Sequence, residues 1–201
     1  MCLKHILHLG KKNMTNRWQL SARTFTAHFK FVLGIVAVMW LVEIVDTLFL
    51  GQSLNRLGIR PRTAAGLLGI VLAPFLHGGL MHLAANTLPF AVLALLILMR
   101  DRDEFFLVTL VVWLVSGLGV WLIAPAGTVH IGASGIIFGY LGFLLLRGLF
   151  DGKPSSMVIA LAVGLAYGSV LWGVLPVQAG VSWQGHLFGF IGGGIAARLA
   201  S

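Results

Sequence analysis

Long apolar segments separated by short polar ones dominate this chain. Six can be delimited, at residues 31–50, 74–99, 105–124, 131–146, 157–175 and 182–199. Four of them approach or exceed the roughly 20 residues with which an α-helix spans a bilayer. Because a backbone in lipid must satisfy its own hydrogen bonds, the pattern predicts an all-α polytopic membrane protein, with a bundle of six transmembrane helices in residues 31–201.

Composition excludes an ordinary water-soluble domain. Hydrophobic residues make up 58% of the chain and charged residues 10%, against about 25% charged residues in a typical globular protein. The 26 glycines lie largely inside the apolar segments, where small residues allow membrane helices to pack backbone to backbone. The lipid bilayer is therefore the expected surrounding of the chain.

The basic residues are distributed as a topology signal. Residues 1–30 hold six of the 14 Lys and Arg side chains and are expected to form a cytoplasmic N-terminal tail. With that orientation, 11 of the 14 fall on the cytoplasmic side, as the positive-inside rule requires. We therefore expect both termini in the cytoplasm of a bacterial cell, an inner-membrane location, and no nucleic-acid partner, since the charge forms no separate patch.

The fourth and sixth segments are short. Fifteen or sixteen helical residues span about 23 Å, less than the roughly 30 Å of hydrocarbon in a bilayer. If both begin at the cytoplasmic interface, they end below the outer surface, where irregular backbone is tolerated only beside protein or a wet cavity. The sequence thus predicts a water-filled cavity open to the outer side, into which the loop at residues 125–128 descends.

Polar side chains from three separate segments are expected at the depth of that cavity. Ser134 begins the fourth segment, and His186 lies near the outer end of the sixth. The outer half of the second segment, taken as helical from residue 74, holds His77, His82 and Asn86. Ionisable groups at such depth are costly and usually functional. Their convergence predicts a site.

Ser134 has two interpretations. A lone serine at the start of a helix is usually an N-cap or a small packing residue. Glycines at helical spacing, however, run along two of the segments and predict close packing between them. They are Gly135, Gly139 and Gly142 after Ser134, and Gly189 and Gly193 after His186. Gly132 and Gly135 also flank the serine and let backbone or substrate approach it. Such packing would bring His186 within hydrogen-bond reach of Ser134, as a base requires of its nucleophile.

The second segment offers donors for an oxyanion. His82 and Asn86 are four residues apart and share a helix face; they either join helices by hydrogen bonds or stabilise a tetrahedral intermediate together with the Ser134 amide. No acidic third member of a triad is evident. Glu43 and Asp46 lie in the first segment and are expected to bond the neighbouring loop or helix, which leaves a Ser–His dyad.

These motifs together resemble the rhomboid family of intramembrane serine proteases. The matching runs are His77-Gly-Gly-Leu-Met-His82-Leu-Ala-Ala-Asn86, Gly132-Ala133-Ser134-Gly135, and Gly185-His186-Leu-Phe-Gly189. The resemblance implies a minimal six-helix rhomboid-like bundle that cleaves transmembrane segments of other proteins. It also implies that Ser134 is the nucleophile, His186 the general base, and His82, Asn86 and the Ser134 amide the oxyanion donors, with His77 more structural than catalytic.

The chain departs from the family pattern at two places. Many members carry Trp-Arg in the first outer loop, where this chain reads Gly58-Ile59-Arg60-Pro61-Arg62. Some carry a tyrosine stacked on the catalytic histidine, four residues after the nucleophile. Phe138 occupies that position here; it is expected to stack but has no hydroxyl.

Three rival functions share some of these features. A catalytically inactive rhomboid-like binding protein would have the same fold, and a small transporter could also line a cavity with polar residues. A metalloprotease would need His-Glu-x-x-His or a similar motif, and no glutamate lies beside these histidines. We therefore expect no metal and no cofactor. The identity of the substrate and the oligomeric state are left open.

Overall fold

The computed structural model describes residues 2–177 and 180–201, with side chains from residue 22 onward. The described ranges contain seven α-helices. They are α1 (Cys2–Phe49), α2 (Ala64–Leu72), α3 (Leu80–Arg100), α4 (Arg102–Ile123), α5 (Ser134–Phe150), α6 (Pro154–Tyr167) and α7 (Trp183–Leu199). Three short 3-10 helices accompany them, at Ser53–Leu57, Ala73–Phe75 and Gly168–Val174.

The predicted helical membrane bundle is confirmed. Four helices are long and apolar enough to cross a bilayer, and they fall in the four longest predicted segments; they are Ala22–Phe49, Leu80–Arg100, Arg102–Ile123 and Pro154–Val174. The helices of the fourth and sixth segments are short, as expected. Each has 17 residues, or about 26 Å of helix.

The clearest difference from the prediction lies at the start of the second segment. The second segment is not helical from residue 74: Pro74 lies in a 3-10 helix, and α3 begins at Leu80, after Gly79 at φ 114°. Because proline removes a backbone donor and Gly79 adopts a conformation that favours glycine, a continuous helix cannot form there. His77 therefore lies in a non-helical stretch before α3, and its predicted place in a helix is wrong.

Two further differences concern the first segment and the loop that follows it. α1 extends from Cys2, so residues 1–30 contain helix continuous with the first span. The loop contains α2, which is not among the six predicted segments. Thr63 caps α2 by accepting a hydrogen bond from the Gly66 amide at 3.0 Å, which explains where this helix begins.

α5 occupies the centre of the bundle and packs against α3, α4, α6 and α7. Its middle is sealed from solvent, since Tyr140, Leu141 and Phe143 have no exposed surface. The Tyr140 hydroxyl lies 2.8 Å from the Thr109 hydroxyl, so the most deeply buried polar group of α5 has a partner on α4. Ser134 thus begins a helix that is held on four sides.

Glycines set the close contact between α5 and α7. A Cβ atom added at Gly189 would lie 2.1 Å from the Gly135 carbonyl oxygen, and one at Gly193 would lie 2.0 Å from the Gly139 carbonyl oxygen. Both separations are far below van der Waals contact, so α7 can lie this near α5 only without side chains at these positions. The predicted packing along the glycine stripes is confirmed.

An ion-pair network ties the helices together at the opposite end of the bundle from Ser134, hereafter the Arg100 side. Arg100 pairs with both Glu104 and Asp151, and Arg147 pairs with Glu104 at 2.8 Å. Although burial disfavours its charged form, hydrogen bonds from the Lys153 amide, the Ser156 hydroxyl and Arg100 hold the pKa of Asp151 well below its usual range. This network fixes where α6 starts relative to α3, α4 and α5.

Replacing Asp151 with asparagine should destabilise this end. We expect the thermal midpoint in detergent to fall by about 2–4 °C, which corresponds to ~1 kcal/mol in a chain of this length. Because folding lowers the pKa of Asp151, its stabilisation is complete above the usual carboxyl pKa of about 4 and is lost as pH falls through the lower folded value. The difference from wild type should therefore shrink in acid. Asp103→Asn, at an exposed position, is the matched control; equal midpoints for both variants would contradict the assignment.

Candidate functional site

Ser134 is the first residue of α5, and the loop before it is held by backbone contacts. The Gly132 amide donates to the Ala73 carbonyl at 2.8 Å. The Ala133 amide donates to Nε2 of His77 at 3.4 Å, and the His77 side chain is fully buried. His77 thus supports the loop, and its ring packs edge-on against His82 with centroids 5.2 Å apart, in keeping with a structural role. Because Ser134 begins the helix, its own amide lies among those without an intrahelical acceptor.

His186 lies one turn into α7, directly opposite Ser134. Its Nε2 is 2.9 Å from the Ser134 Oγ, and its Nδ1 is 2.8 Å from the carbonyl oxygen of Gly173. A carbonyl can only accept, so Nδ1 must carry the proton of the neutral ring and Nε2 must be the acceptor. The Gly173 carbonyl therefore selects the tautomer in which His186 accepts a hydrogen bond from the serine hydroxyl.

Phe138 covers one face of the His186 ring. The two rings are stacked, with centroids 4.0 Å apart and an interplanar angle of 6°. A Cβ atom added at Gly173 would lie 2.9 Å from Cζ of Phe138 and 3.1 Å from Nδ1 of His186. The imidazole is thus fixed by one hydrogen bond and one stack, and both need the small residue at position 173. The stacking expected of Phe138 is present.

His82 has the opposite tautomer. The Gly78 amide donates to Nδ1 of His82 at 3.2 Å, so Nδ1 is the acceptor and Nε2 carries the proton. That Nε2–H lies beside Gly132, where an added Cβ would be 3.1 Å from Nε2 of His82 and 3.9 Å from the Ser134 Oγ. Gly132 also has φ 110°, so both its conformation and its surroundings favour glycine.

Asn86 lies one turn after His82 and lines the same cavity. Its Nδ2 donates to the His82 carbonyl at 2.9 Å, which orients the amide and leaves its second N–H available. The cavity has a volume of about 820 Å³. Ser134, His186, His82 and Asn86 all line it. The predicted cavity is present, and residues from three helices meet there, as the sequence indicated.

Two acidic residues play the structural part expected of them. Glu43 Oε1 accepts a hydrogen bond from the Gln52 side chain at 3.0 Å, and Asp46 Oδ1 accepts one from the Leu54 amide at 3.0 Å. Both carboxylates are almost fully buried. They fasten the loop after α1, and neither contacts His186 in the described part of the chain.

Two contributors to the site were not found from the sequence. Gly173 acts through its backbone carbonyl, which no residue pattern reveals. His130, in the loop before Ser134, also lines the cavity, and its position four residues before the serine was a signal that sequence reasoning overlooked. Burial lowers the pKa of His130 and so favours the neutral form of its ring.

The chain matches the model of the rhomboid domain over residues 64–201. It belongs to the rhomboid family. The matched range includes every residue of the Ser134 site described above. The family, together with four helices apolar enough to span a bilayer, makes this rhomboid an integral membrane protein.

Its relatives include uncharacterised and named proteins. An uncharacterised protein of Mycobacterium tuberculosis is 44% identical over 193 residues, which cover 92% of this chain and 77% of that protein. YdcA of Bacillus subtilis, whose name as a rhomboid protease is provisional, is 30% identical over 81% of this chain and 83% of its own. The rhomboid protease GluP of Bacillus subtilis is 28% identical over 87% of this chain and 34% of its own.

Proposed function

We propose that this rhomboid is an intramembrane serine endopeptidase that uses a dyad of Ser134 and His186. The observation that carries the proposal is the 2.9 Å contact between the Ser134 Oγ and His186 Nε2, in the tautomer selected by the Gly173 carbonyl. Nucleophile and base are thus within reach, and a third group orients the base. The backbone carbonyl takes the place of the acid in a triad.

The chemistry follows from this arrangement. The Ser134 oxygen attacks the scissile carbonyl while its proton passes to Nε2 of His186. The resulting imidazolium keeps its Nδ1–H on the Gly173 carbonyl and then protonates the leaving amine. An acyl-enzyme remains, and cavity water deprotonated by His186 hydrolyses the ester and restores the serine.

The same geometry supplies donors to the developing oxyanion. His82 offers the Nε2–H beside Gly132, Asn86 offers its second Nδ2–H, and Ser134 offers its amide at the positive end of the α5 dipole. Each well-placed donor is worth about 3–4 kcal/mol in the transition state. The two histidines therefore have different roles: His186 accepts a proton, and His82 donates a hydrogen bond.

We infer that the substrates are transmembrane segments of other proteins and that they enter beside α6. Only 6% of the apolar stretch in Pro154–Val174 is buried inside the protein. This span therefore makes few packing contacts that a movement would break. A helical substrate must unwind locally before its carbonyl is exposed, which favours small, helix-destabilising residues near its outer end. The charge distribution supports a cytoplasmic-membrane location, with both termini inside and the cavity facing outward.

Cleavage of single-span reporters tests the function directly. The purified full-length protein should cut a reporter that carries small residues near the outer end of its span, and mass spectrometry should place the cut within that span. EDTA should have no effect, whereas a fluorophosphonate should abolish cleavage. Cuts confined to soluble loops, or activity removed by EDTA and restored by zinc, would overturn the proposal.

Gly173 provides a sharper test of how the base is oriented. Gly173→Ala should lower kcat by about 100-fold, because the added Cβ displaces the stacked pair and a misplacement of about 1 Å costs that much. Gly168→Ala is the matched control in the same 3-10 helix, since an added Cβ there meets nothing within 4 Å. Equal kcat values for the two variants would show that Gly173 does not orient His186.

A further inference from the structure

His130 lines the cavity and forms hydrogen bonds through both ring nitrogens. Nε2 lies 2.8 Å from the Thr128 hydroxyl, and Nδ1 lies 2.7 Å from the Ser182 hydroxyl. Thr128 and His130 belong to the loop that leads to Ser134, whereas Ser182 is the N-cap of α7. The imidazole therefore bridges two segments that are 52 residues apart in the chain.

The direction of each hydrogen bond follows from the remaining partners. The Thr128 hydroxyl donates to the Pro125 carbonyl at 2.7 Å, so it must accept from His130, whose proton is on Nε2. Nδ1 is then an acceptor and receives the Ser182 hydroxyl proton. Ser182 Oγ in turn accepts the Gly185 amide at 3.4 Å. With the ring neutral, the result is a directed chain of hydrogen bonds from Ser182 through His130 to Thr128 and Pro125.

Each end of this bridge lies four residues before a member of the dyad. His130 precedes Ser134 by four residues, and Ser182 precedes His186 by four residues. The His186 amide also donates to the Ser182 carbonyl at 3.1 Å. A shift of Ser182 would therefore also shift the helical turn that carries His186. The bridge therefore connects the loop that leads to Ser134 with the helix that carries His186.

From this geometry we propose that His130 is a positioning residue, which holds Ser134 at reacting distance from His186 by clasping Ser182. The inference rests on the proposed serine protease function. The same loop has other anchors, because His130 also pairs through its backbone with Ile59 at 2.9 and 3.0 Å, and Gly132 bonds Ala73. Loss of the imidazole should therefore leave the fold intact and loosen the alignment of the dyad.

Three substitutions at position 130 distinguish the hydrogen bond to Ser182 from the hydrogen bond to Thr128. His130→Ala removes both hydrogen bonds. His130→Asn places an amide oxygen close to the position of Nδ1 and keeps an acceptor for Ser182, whereas His130→Gln keeps a donor near Thr128 and loses that acceptor. Ala126→Ser, at an exposed position in the same loop, is the control.

We expect the rate of fluorophosphonate labelling and kcat to fall together by about 10- to 100-fold in His130→Ala, because both depend on the alignment of Ser134 with its base. His130→Gln should behave like His130→Ala, and His130→Asn should recover most of the lost rate. KM should stay within about twofold of wild type, as expected when an interaction needed only for the chemical step is lost. The thermal midpoint should remain near that of wild type.

A double-mutant cycle with Ser182→Ala checks that the two residues act through each other. The doubly substituted protein should label no more slowly than the slower single variant, since the same contact is removed in each. Multiplicative effects, or an unchanged labelling rate in His130→Ala, would overturn the clasp while leaving the dyad standing. Failure of wild type to label at all would instead overturn the proposed function.

Discussion

Replacing Ser134 with alanine is expected to abolish proteolysis while leaving the protein folded. In the proposed mechanism the serine oxygen forms the covalent bond to the substrate, and loss of such a nucleophile costs up to about 10⁶-fold in kcat. The His186 ring would still be held by the Gly173 carbonyl and by Phe138. The cavity should therefore keep its shape, and substrate should still bind.

The measurement is cleavage of a single-span reporter in detergent by wild type, Ser134→Ala, His186→Ala and the double variant. Because nucleophile and base act as a unit, the double variant should be no slower than the single ones. Ser155→Ala, an exposed serine on the Arg100 side, is the matched control and should retain full activity. Undiminished cleavage by Ser134→Ala would refute the assignment.

The second large effect is expected at the contact between α5 and α7. In Gly189→Ala the new Cβ would approach the Gly135 carbonyl oxygen to 2.1 Å, so α7 must move away from α5. Because His186 lies on α7 and Ser134 begins α5, the dyad separates as the helices do. We expect kcat to fall by about 100-fold or more, with a loss of stability of about 1–3 kcal/mol from overpacking.

Gly194→Ala is the control for this prediction. It lies on the same helix, but an added Cβ there approaches the terminal Cδ1 of Leu146, at 2.9 Å, and a flexible side chain can move aside. Its activity and thermal midpoint should stay close to those of wild type. Comparable losses in the two variants would mean that α7 as a whole rejects larger residues and that the Gly189 contact has no special role.

Apolar segment length was sufficient to predict the membrane bundle, because backbone hydrogen bonding in lipid leaves few alternatives to helices. It was insufficient at the start of α3, where the apolar run continues through Pro74 and Gly79 although the backbone cannot remain helical. The apolar run that forms α2 lies directly before the second segment, but it was not assigned a helix of its own, because the boundary depends on the Thr63 cap and on packing against α4.

Side-chain chemistry and helical spacing were sufficient to predict that four side chains line one cavity, those of Ser134, His186, His82 and Asn86. The tautomers of the two histidines were beyond such reasoning. They depend on the Gly173 carbonyl and the Gly78 amide, which are backbone groups that every residue type except proline shares in full. Tertiary geometry alone determines which of them meets an imidazole nitrogen.

The central claim is that His186 activates Ser134. Its most direct test is covalent labelling of the full-length protein in detergent with a fluorophosphonate, followed by intact-mass and peptide mass spectrometry. We predict one adduct per chain, located on Ser134. The adduct should be absent in Ser134→Ala, and its formation should be lost or greatly slowed in His186→Ala. An adduct on another residue, or labelling of Ser134 at the same rate without His186, would contradict it.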